Sequence, residues 1–276
     1  MRLFDKVAIV GTGLIGGSIA LAIKKKQIAK EVIGISRHRY TLALAKKIHA
    51  IDKGSLDLEV IKDADLVILA TPVNTILNLA PRISKIIKGN CIVIDVGSTK
   101  QEIVAKLSKV FTHYLGAHPL AGSEKRGIVN ATADLFKDSL CILTPTKNTD
   151  KKTLRKITRL WVELGAEVDI LSANRHDKIL SFTSHLPHIV AFSLIKSIPQ
   201  RYLKFASGGL KDTTRIAGSE SELWSDIFLS NRKNILGSIR ILENNLEKIK
   251  SAITRKDKRR LNRILKKAKE KRDNLI

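Results

Sequence analysis

Residues 6–18 read Lys6-Val7-Ala8-Ile9-Val10-Gly11-Thr12-Gly13-Leu14-Ile15-Gly16-Gly17-Ser18, an apolar β-branched run that breaks at a glycine turn and passes into a helical pattern through Ala22. In such a turn Gly11 permits the tight reversal, Gly13 lets a pyrophosphate approach the backbone, and Gly16 allows close helix packing. The helix N-terminus adds oriented N–H donors, so the segment predicts a dinucleotide site. Its cofactor-binding residues are assigned as Gly11, Gly13, Leu14, Ile15 and Gly16, together with Thr71 and Pro72, where the apolar run Leu66–Thr71 ends.

Working outward from that turn, short β-branched runs alternate with longer amphipathic ones up to about residue 171, the pattern of a parallel sheet covered by helices. The expected strands are Lys6–Val10, Val32–Ser36, Leu66–Thr71, Cys91–Val96, Tyr114–Ala117, Leu140–Thr144 and Glu167–Leu171, with helical spacing over Thr75–Ile87 and Lys152–Leu164. Continuous apolar runs such as Leu66-Val67-Ile68-Leu69-Ala70 imply burial on both faces. From Ser172 onward the strand signal stops, and helices are expected over 173–197, 219–230, 231–253 and 256–272. The fold class is α/β, an N-terminal Rossmann-type, mostly parallel sheet over 1–171 followed by an all-helical domain over 172–276 for substrate and dimerisation. A helical domain of this size with an apolar first helix would complete its core against a second copy, so a homodimer is expected.

The chain carries 276 residues and a formal charge of +24, which favours anionic partners. Eleven bases between Arg255 and Arg272 face only Asp257, Glu270 and Asp273, giving a basic C-terminal tail over 256–276. The tail has no aromatic residue, so the stacking platforms of single-strand nucleic-acid binders are missing and a solvated helix is the plainer reading. Cys91 and Cys141 lie in apolar runs without metal-ligand spacing; they read as core thiols in a reducing compartment, and no metal is expected. The N-terminus runs directly into a strand without the features of a signal peptide, and Ile179–Ile195 carries too many polar groups for a lipid-facing span. That stretch is expected to be a buried helix, and the protein cytoplasmic.

An acid about 20 residues beyond the glycine turn accepts the ribose hydroxyls of NAD. Here the position is Ser36, followed by Arg37, His38 and Arg39. Ser36 with Arg37 or Arg39 suits a ribose phosphate, so NADP is the expected cofactor and NAD the alternative.

Polar chemistry gathers in four further segments. His118-Pro119-Leu120-Ala121-Gly122-Ser123-Glu124 puts a possible proton acceptor just past an apolar strand; Asp95-Val96-Gly97-Ser98-Thr99-Lys100 ends another. Thr183-Ser184-His185-Leu186-Pro187-His188 interrupts the apolar helix, where Pro187 would free backbone carbonyls, and Ser207–Gly218 reads as a glycine-bracketed loop carrying Arg215. In this order the motifs resemble the prephenate and arogenate dehydrogenase family over roughly residues 6 to 250. The resemblance implies an enzyme of tyrosine biosynthesis that oxidises a cyclohexadienol to a phenol: hydride leaves the carbon bearing the hydroxyl, and the ring carboxylate departs as carbon dioxide.

Such a reaction needs a proton acceptor, a nicotinamide above the same carbon, and cations for two carboxylates. His118 fits the first need, Ser98 would orient the hydroxyl or His118, and Arg215 would clamp a carboxylate. The resemblance adds His188 near the substrate side chain, Ser123 and Glu124 in the pocket wall, and Trp224 at its edge. Quieter readings stand beside these. His118 would equally suit a hydrogen-bonded strand end, His185 a structural role, Arg215 an internal pair with Asp212 or Glu220, and Trp224 the core. His38, His49, His113 and His176 read as surface or packing residues. Family members that favour prephenate tend to carry the histidine at 188, whereas serine at the cofactor position resembles arogenate-using members. The length leaves no room for a fused mutase or regulatory domain. Two rival classes remain: a β-hydroxyacid dehydrogenase, with Lys178 as its nearest catalytic lysine, and a nucleic-acid binder with a dinucleotide sensor.

Overall fold

The computed structural model describes residues 2–122, 125 and 127–275. Eight strands form one sheet in the order β3-β2-β1-β4-β5-β6-β7-β8. They are β1 (Phe4–Val10), β2 (Ala29–Ile35), β3 (Lys53–Ser55), β4 (Leu66–Leu69), β5 (Ile92–Asp95), β6 (Tyr114–Pro119), β7 (Leu140–Thr144) and β8 (Glu167–Ile170). Every neighbouring pair is parallel except β6 and β7, where Gly116 faces Thr144 and His118 faces Ile142 in antiparallel register. Only a short 3-10 turn, Ile128–Asn130, is assigned among the described residues between β6 and β7, and without a crossover helix the chain returns antiparallel.

Helices α1 (Leu14–Lys25), α2 (Arg39–Lys47), α3 (Val73–Ile86), α4 (Gln101–Val110) and α5 (Lys151–Glu163) cover the sheet. The strand period of two divides the core cleanly. Val7 and Ile9 pack with Ile19, Ile23, Leu42 and Trp161 on one face, while Ala8 and Val10 pack with Ile76, Ala80, Ile103 and Leu107 on the other. This two-sided burial is why the strands read as continuous apolar runs. Strand β3, absent from the sequence expectation, is a three-residue edge strand without apolar alternation. Both edges are short, and the outer one carries Glu167 and Asp169, which discourages further strand pairing.

The chain then continues as α6 (Ala173–Leu180), a π-helical turn (Ser181–His185) and α7 (Leu186–Ser197). Pro187 enters the first turn of α7 without an N–H to give, and the wide turn sits just before it. The expected single buried helix over 173–197 is therefore broken. Of the residues in α7 only Ala191 is buried, since little of this chain covers it. The expected loop at 207–218 is also corrected: α8 (Gly208–Thr214) and a 3-10 turn (Arg215–Gly218) fill it, and the Thr213 and Thr214 hydroxyls donate back to the Gly209 and Leu210 carbonyls instead of pulling the backbone out of helix. Helix α9 (Ser221–Ser230) follows.

The chain separates into two compact units, Met1–Asn231 and Arg232–Ile276. The second is a helix pair, α10 (Arg232–Thr254) and α11 (Lys258–Asp273), the latter capped by Asp257, whose carboxylate accepts from the Arg260 N–H at 2.9 Å. No residue of α11 is buried, as expected of a solvated basic helix. Among the described residues no helix is long and apolar enough to cross a membrane.

Candidate active site

The strand order reverses between β1 and β4, and the crevice at their carboxyl ends is where an open α/β sheet presents a ligand. Gly11 sits there at φ +103°, and a Cβ on it would lie 2.5 Å from the Ala70 carbonyl oxygen. A Cβ on Gly16 would fall 1.9 Å from the Gly11 oxygen, whereas one on Gly13 would meet nothing within 4 Å. The turn is thus closed on two sides and open on the third, the side a pyrophosphate would use. The buried hydroxyls of Thr12 and Thr71 have no hydrogen-bond partner, an expensive state that a bound polar ligand relieves. Leu14 and Ile15 begin α1, and Pro72 precedes α3 across the same crevice. These features fit a dinucleotide.

His118 lies two residues past Gly116, which pairs with Asp95 of β5, so it belongs to the same carboxyl end of the sheet. It is half-buried, and its Nδ1 lies 2.8 Å from Nε2 of His176. Nδ1 of His176 lies 2.8 Å from Oδ1 of Asp177. Asp177 is itself fixed from afar: its Oδ1 accepts from the Lys100 N–H at 2.7 Å and its Oδ2 from the Gln101 N–H at 2.9 Å. These are the first donors of α4, which has no capping side chain of its own, so Asp177 caps that helix.

The tautomers follow from this anchor. A carboxylate only accepts, so His176 carries its proton on Nδ1 and presents Nε2 as an acceptor. His118 must then donate from Nδ1, which leaves its own Nε2 unprotonated. Burial, followed by the neighbouring His176, Lys100 and His185, pushes the pKa of His118 well below 6.5, so it stays neutral at physiological pH. The result is a neutral imidazole whose Nε2 is left as an acceptor.

Beneath the pair, Lys100 is fully buried with its ammonium 2.5 Å from Oδ2 of Asp95, whose Oδ1 accepts from the Tyr114 hydroxyl at 2.6 Å. Ser98 is half-buried in the connection between Asp95 and Lys100. On the helical side, His188 stacks on Trp224 with ring centroids 3.4 Å apart, and Trp224 meets His185 edge-on at 6.2 Å. Nδ1 of His188 donates to the Ser184 carbonyl at 2.9 Å. Burial, the first cause, and the charge of Arg215 work against protonation of His188, outweighing that bond; Arg215 is exposed on the 3-10 turn after α8. Nδ1 of His185 accepts from Nδ2 of Asn231 at 3.1 Å, and burial pushes its pKa down to about 4.

The model of the nucleotide-binding domain of prephenate dehydrogenase matches residues 19–170, and that of its dimerization domain matches residues 172–267. The chain belongs to the prephenate dehydrogenase family. It is 37% identical to prephenate dehydrogenase of Bacillus subtilis over 98% of this chain and 76% of that protein. It is 32% identical to cyclohexadienyl dehydrogenase of Zymomonas mobilis over 93% of this chain and 91% of that protein. The crystal structure of prephenate dehydrogenase from A. aeolicus, in complex with hydroxyphenyl propionate and NAD+, aligns with a TM-score of 0.94 at 34% identity, covering 99% of this chain and 98% of that one.

Within this family member, the residues singled out from sequence fall into two groups. His188, Trp224 and Arg215 come together on the helical side, while His118 and Ser98 occupy the sheet side. Trp224 is buried and stacked on His188. Ser36 follows β2 directly and is half-buried, with Arg37 and Arg39 exposed beside it. Ser123 and Glu124 lie outside the described residues. His176, read from sequence as a surface or packing residue, is fully buried, and its ring is hydrogen-bonded to His118, which the sequence reading did not foresee. The adjacent His176-Asp177 pair opening a helix was its only local signal. Lys178, the lysine of the rival β-hydroxyacid reading, is exposed.

Proposed function

We propose that this chain converts prephenate to 4-hydroxyphenylpyruvate and carbon dioxide with hydride transfer to NAD(P)+; the supporting observation is the hydrogen-bonded chain His118–His176–Asp177, whose anchoring carboxylate leaves Nε2 of His118 to accept a proton. When bound, the oxidised nicotinamide accepts the hydride that leaves the carbinol carbon. His118 takes the hydroxyl proton, and the emerging positive charge spreads toward His176 and the Asp177 carboxylate. The bond to the ring carboxylate then breaks, its electron pair restores aromaticity, and His118 returns its proton to the phenolate oxygen. Ser98 orients the hydroxyl, and Arg215 holds a carboxylate of the substrate. Trp224 and His188 bound the substrate side chain.

Arogenate is the second reading, and one observation favours it. With its Nδ1 proton committed to the Ser184 carbonyl, neutral His188 presents an acceptor, which suits an ammonium better than a ketone. NADP is the proposed cofactor, supported by the lack of an acid at Ser36 and by Arg37 and Arg39 beside it. Residues 1–171 would bind it, and 172–276 would serve substrate and dimer. A homodimer is supported by the half-buried apolar residues of α7, which need a second copy to cover them. The buried, unpaired thiols of Cys91 and Cys141 support a reducing, cytoplasmic setting. The deciding experiment mixes purified protein with prephenate or arogenate and each oxidised cofactor and follows reduced nicotinamide. Turnover of neither substrate would overturn the proposal.

A further inference from the structure

Asn231 follows α9 directly, and its side chain is a buried amide that the chemistry above leaves unused. Its Nδ2 lies 2.7 Å from the Asp177 carbonyl oxygen in α6 and 3.1 Å from Nδ1 of His185 in the π-helical turn. A carbonyl only accepts, so the amide faces it with nitrogen, and the second N–H of that nitrogen is left for His185. The ring therefore accepts on Nδ1. Burial keeps His185 neutral, so its one proton sits on Nε2. The Asp177 oxygen also accepts from the Ser181 N–H, at the point where α6 gives way to the π-helical turn. Single π turns are rare and occur mostly at functional sites, and here one amide holds the turn at both ends.

We propose that Asn231 is a positioning residue for the reaction: its amide ties the end of α9 to α6 and to the π-helical turn, fixes His185 as the Nε2–H tautomer, and so holds Trp224 and His188 in register with the His118–His176–Asp177 chain. This rests on the reading of His118 as the proton acceptor and of Trp224 and His188 as the wall for the substrate side chain. Trp224 lies earlier on α9 and meets His185 edge-on at 6.2 Å. It stacks on His188 at 3.4 Å, and Nδ1 of His188 donates to the Ser184 carbonyl of the same π turn at 2.9 Å. Asp177, whose carbonyl Asn231 grips, orients His176 through its carboxylate at 2.8 Å, and His176 meets His118 at 2.8 Å. One side chain thus joins the two halves of the site, the aromatic wall and the imidazole chain, through buried hydrogen bonds.

The test uses the full chain and its Asn231→Leu variant, both labelled with ¹⁵N-histidine. Long-range ¹H–¹⁵N correlation spectra read the His185 tautomer without turnover. The unsubstituted protein should show a bare Nδ1 and a protonated Nε2, and a proton on Nδ1 there overturns the proposal before any variant is made. Leucine matches asparagine in bulk but has no donor, so in Asn231→Leu the Nδ1–H form should appear beside the other. KM for the cyclohexadienol should rise about fivefold or more, the size of one lost hydrogen bond, while Kd for the oxidised cofactor stays unchanged. An unchanged KM, or a raised KM with the tautomer unaltered, marks a merely structural amide and overturns the proposal. Should Asn231→Leu fail to fold, Asn231→Asp keeps the shape and loses both N–H groups; the same changes are expected, and their absence overturns the proposal equally. Turnover of neither substrate by the unsubstituted protein would defeat the proposed function, while its His185 tautomer would still report on Asn231.

Discussion

Asp177→Asn isolates the orienting chain. The carboxylate accepts three N–H groups: Lys100 and His176 on Oδ1, Gln101 on Oδ2. An amide offers one oxygen and one NH2, so at least one of these donors faces another donor, and a buried N–H left unmade costs about 1–3 kcal/mol. If the amide nitrogen turns to His176, that imidazole must accept on Nδ1 and carry its proton on Nε2. His118 is then forced to accept on Nδ1 and to present a proton, not a lone pair, on Nε2. If the oxygen stays toward His176, the tautomers survive but the negative charge that stabilises the imidazolium is gone. Either way general-base assistance fails, and kcat should fall about 10²- to 10⁴-fold with KM for the cyclohexadienol little changed. Steady-state formation of reduced nicotinamide measures this, and urea unfolding confirms that the variant is folded. A folded Asp177→Asn enzyme with the wild-type kcat would refute the tautomer argument.

Other perturbations probe the remaining parts. His118→Asn should still bind substrate but lose kcat about 10²- to 10⁴-fold, and Arg215→Ala should act mainly on KM; calorimetric binding beside kinetics separates the two. Gly13→Ala adds a Cβ into open space, so it should weaken the cofactor without unfolding the protein, whereas Gly16→Ala drives a Cβ to 1.9 Å from the Gly11 oxygen and should lower Tm; equal effects of both on Tm would contradict the geometry. Ser36→Asp should shift the kcat/KM ratio from NADP toward NAD by repelling a ribose phosphate, and an unchanged ratio would remove the proposed role of the β2 end. His185 is buried neutral with a pKa of about 4 against 6.5 when unfolded, so the unfolded chain binds the extra proton and stability falls as pH drops from 6.5 to about 4, by about 1.4 kcal/mol per pH unit for each such histidine. Urea midpoints between pH 7 and 5 should decline accordingly, and a flat series would contradict the burial argument.

The parallel sheet was legible because both of its faces are dry: Leu66, Val67, Ile68 and Leu69 are all fully buried, and such runs leave few alternatives to a central strand. The glycine roles were legible for a similar reason, since strand, turn and helix are contiguous in the chain. Strand β3 escaped because Lys53, Gly54 and Ser55 carry no pattern; neighbouring β2 recruits them through backbone pairing. The 207–218 segment was misread because its glycines sit at the start of α8, where glycine is tolerated, and its threonines bond back into the helix. His118 was legible from its motif, but His176 was not. Fifty-eight residues separate the two, and only the packing of α6 beside the sheet makes them a pair.

That separation explains how the site couples to the fold. The orienting carboxylate is also the cap of a helix 76 residues away, so the energy that fixes it comes from secondary structure that must form in any case. An imidazole chain anchored on a loop would lose its order with each fluctuation of that loop. Anchored on the N-terminus of α4, Asp177 moves only if the helix frays, and Lys100, placed by the same helix start, moves with it. His118, His176, Asp177 and Lys100 therefore share one rigid reference. It follows that substitutions weakening the α4 terminus should impair kcat before they unfold the protein, although none of those residues would touch the substrate.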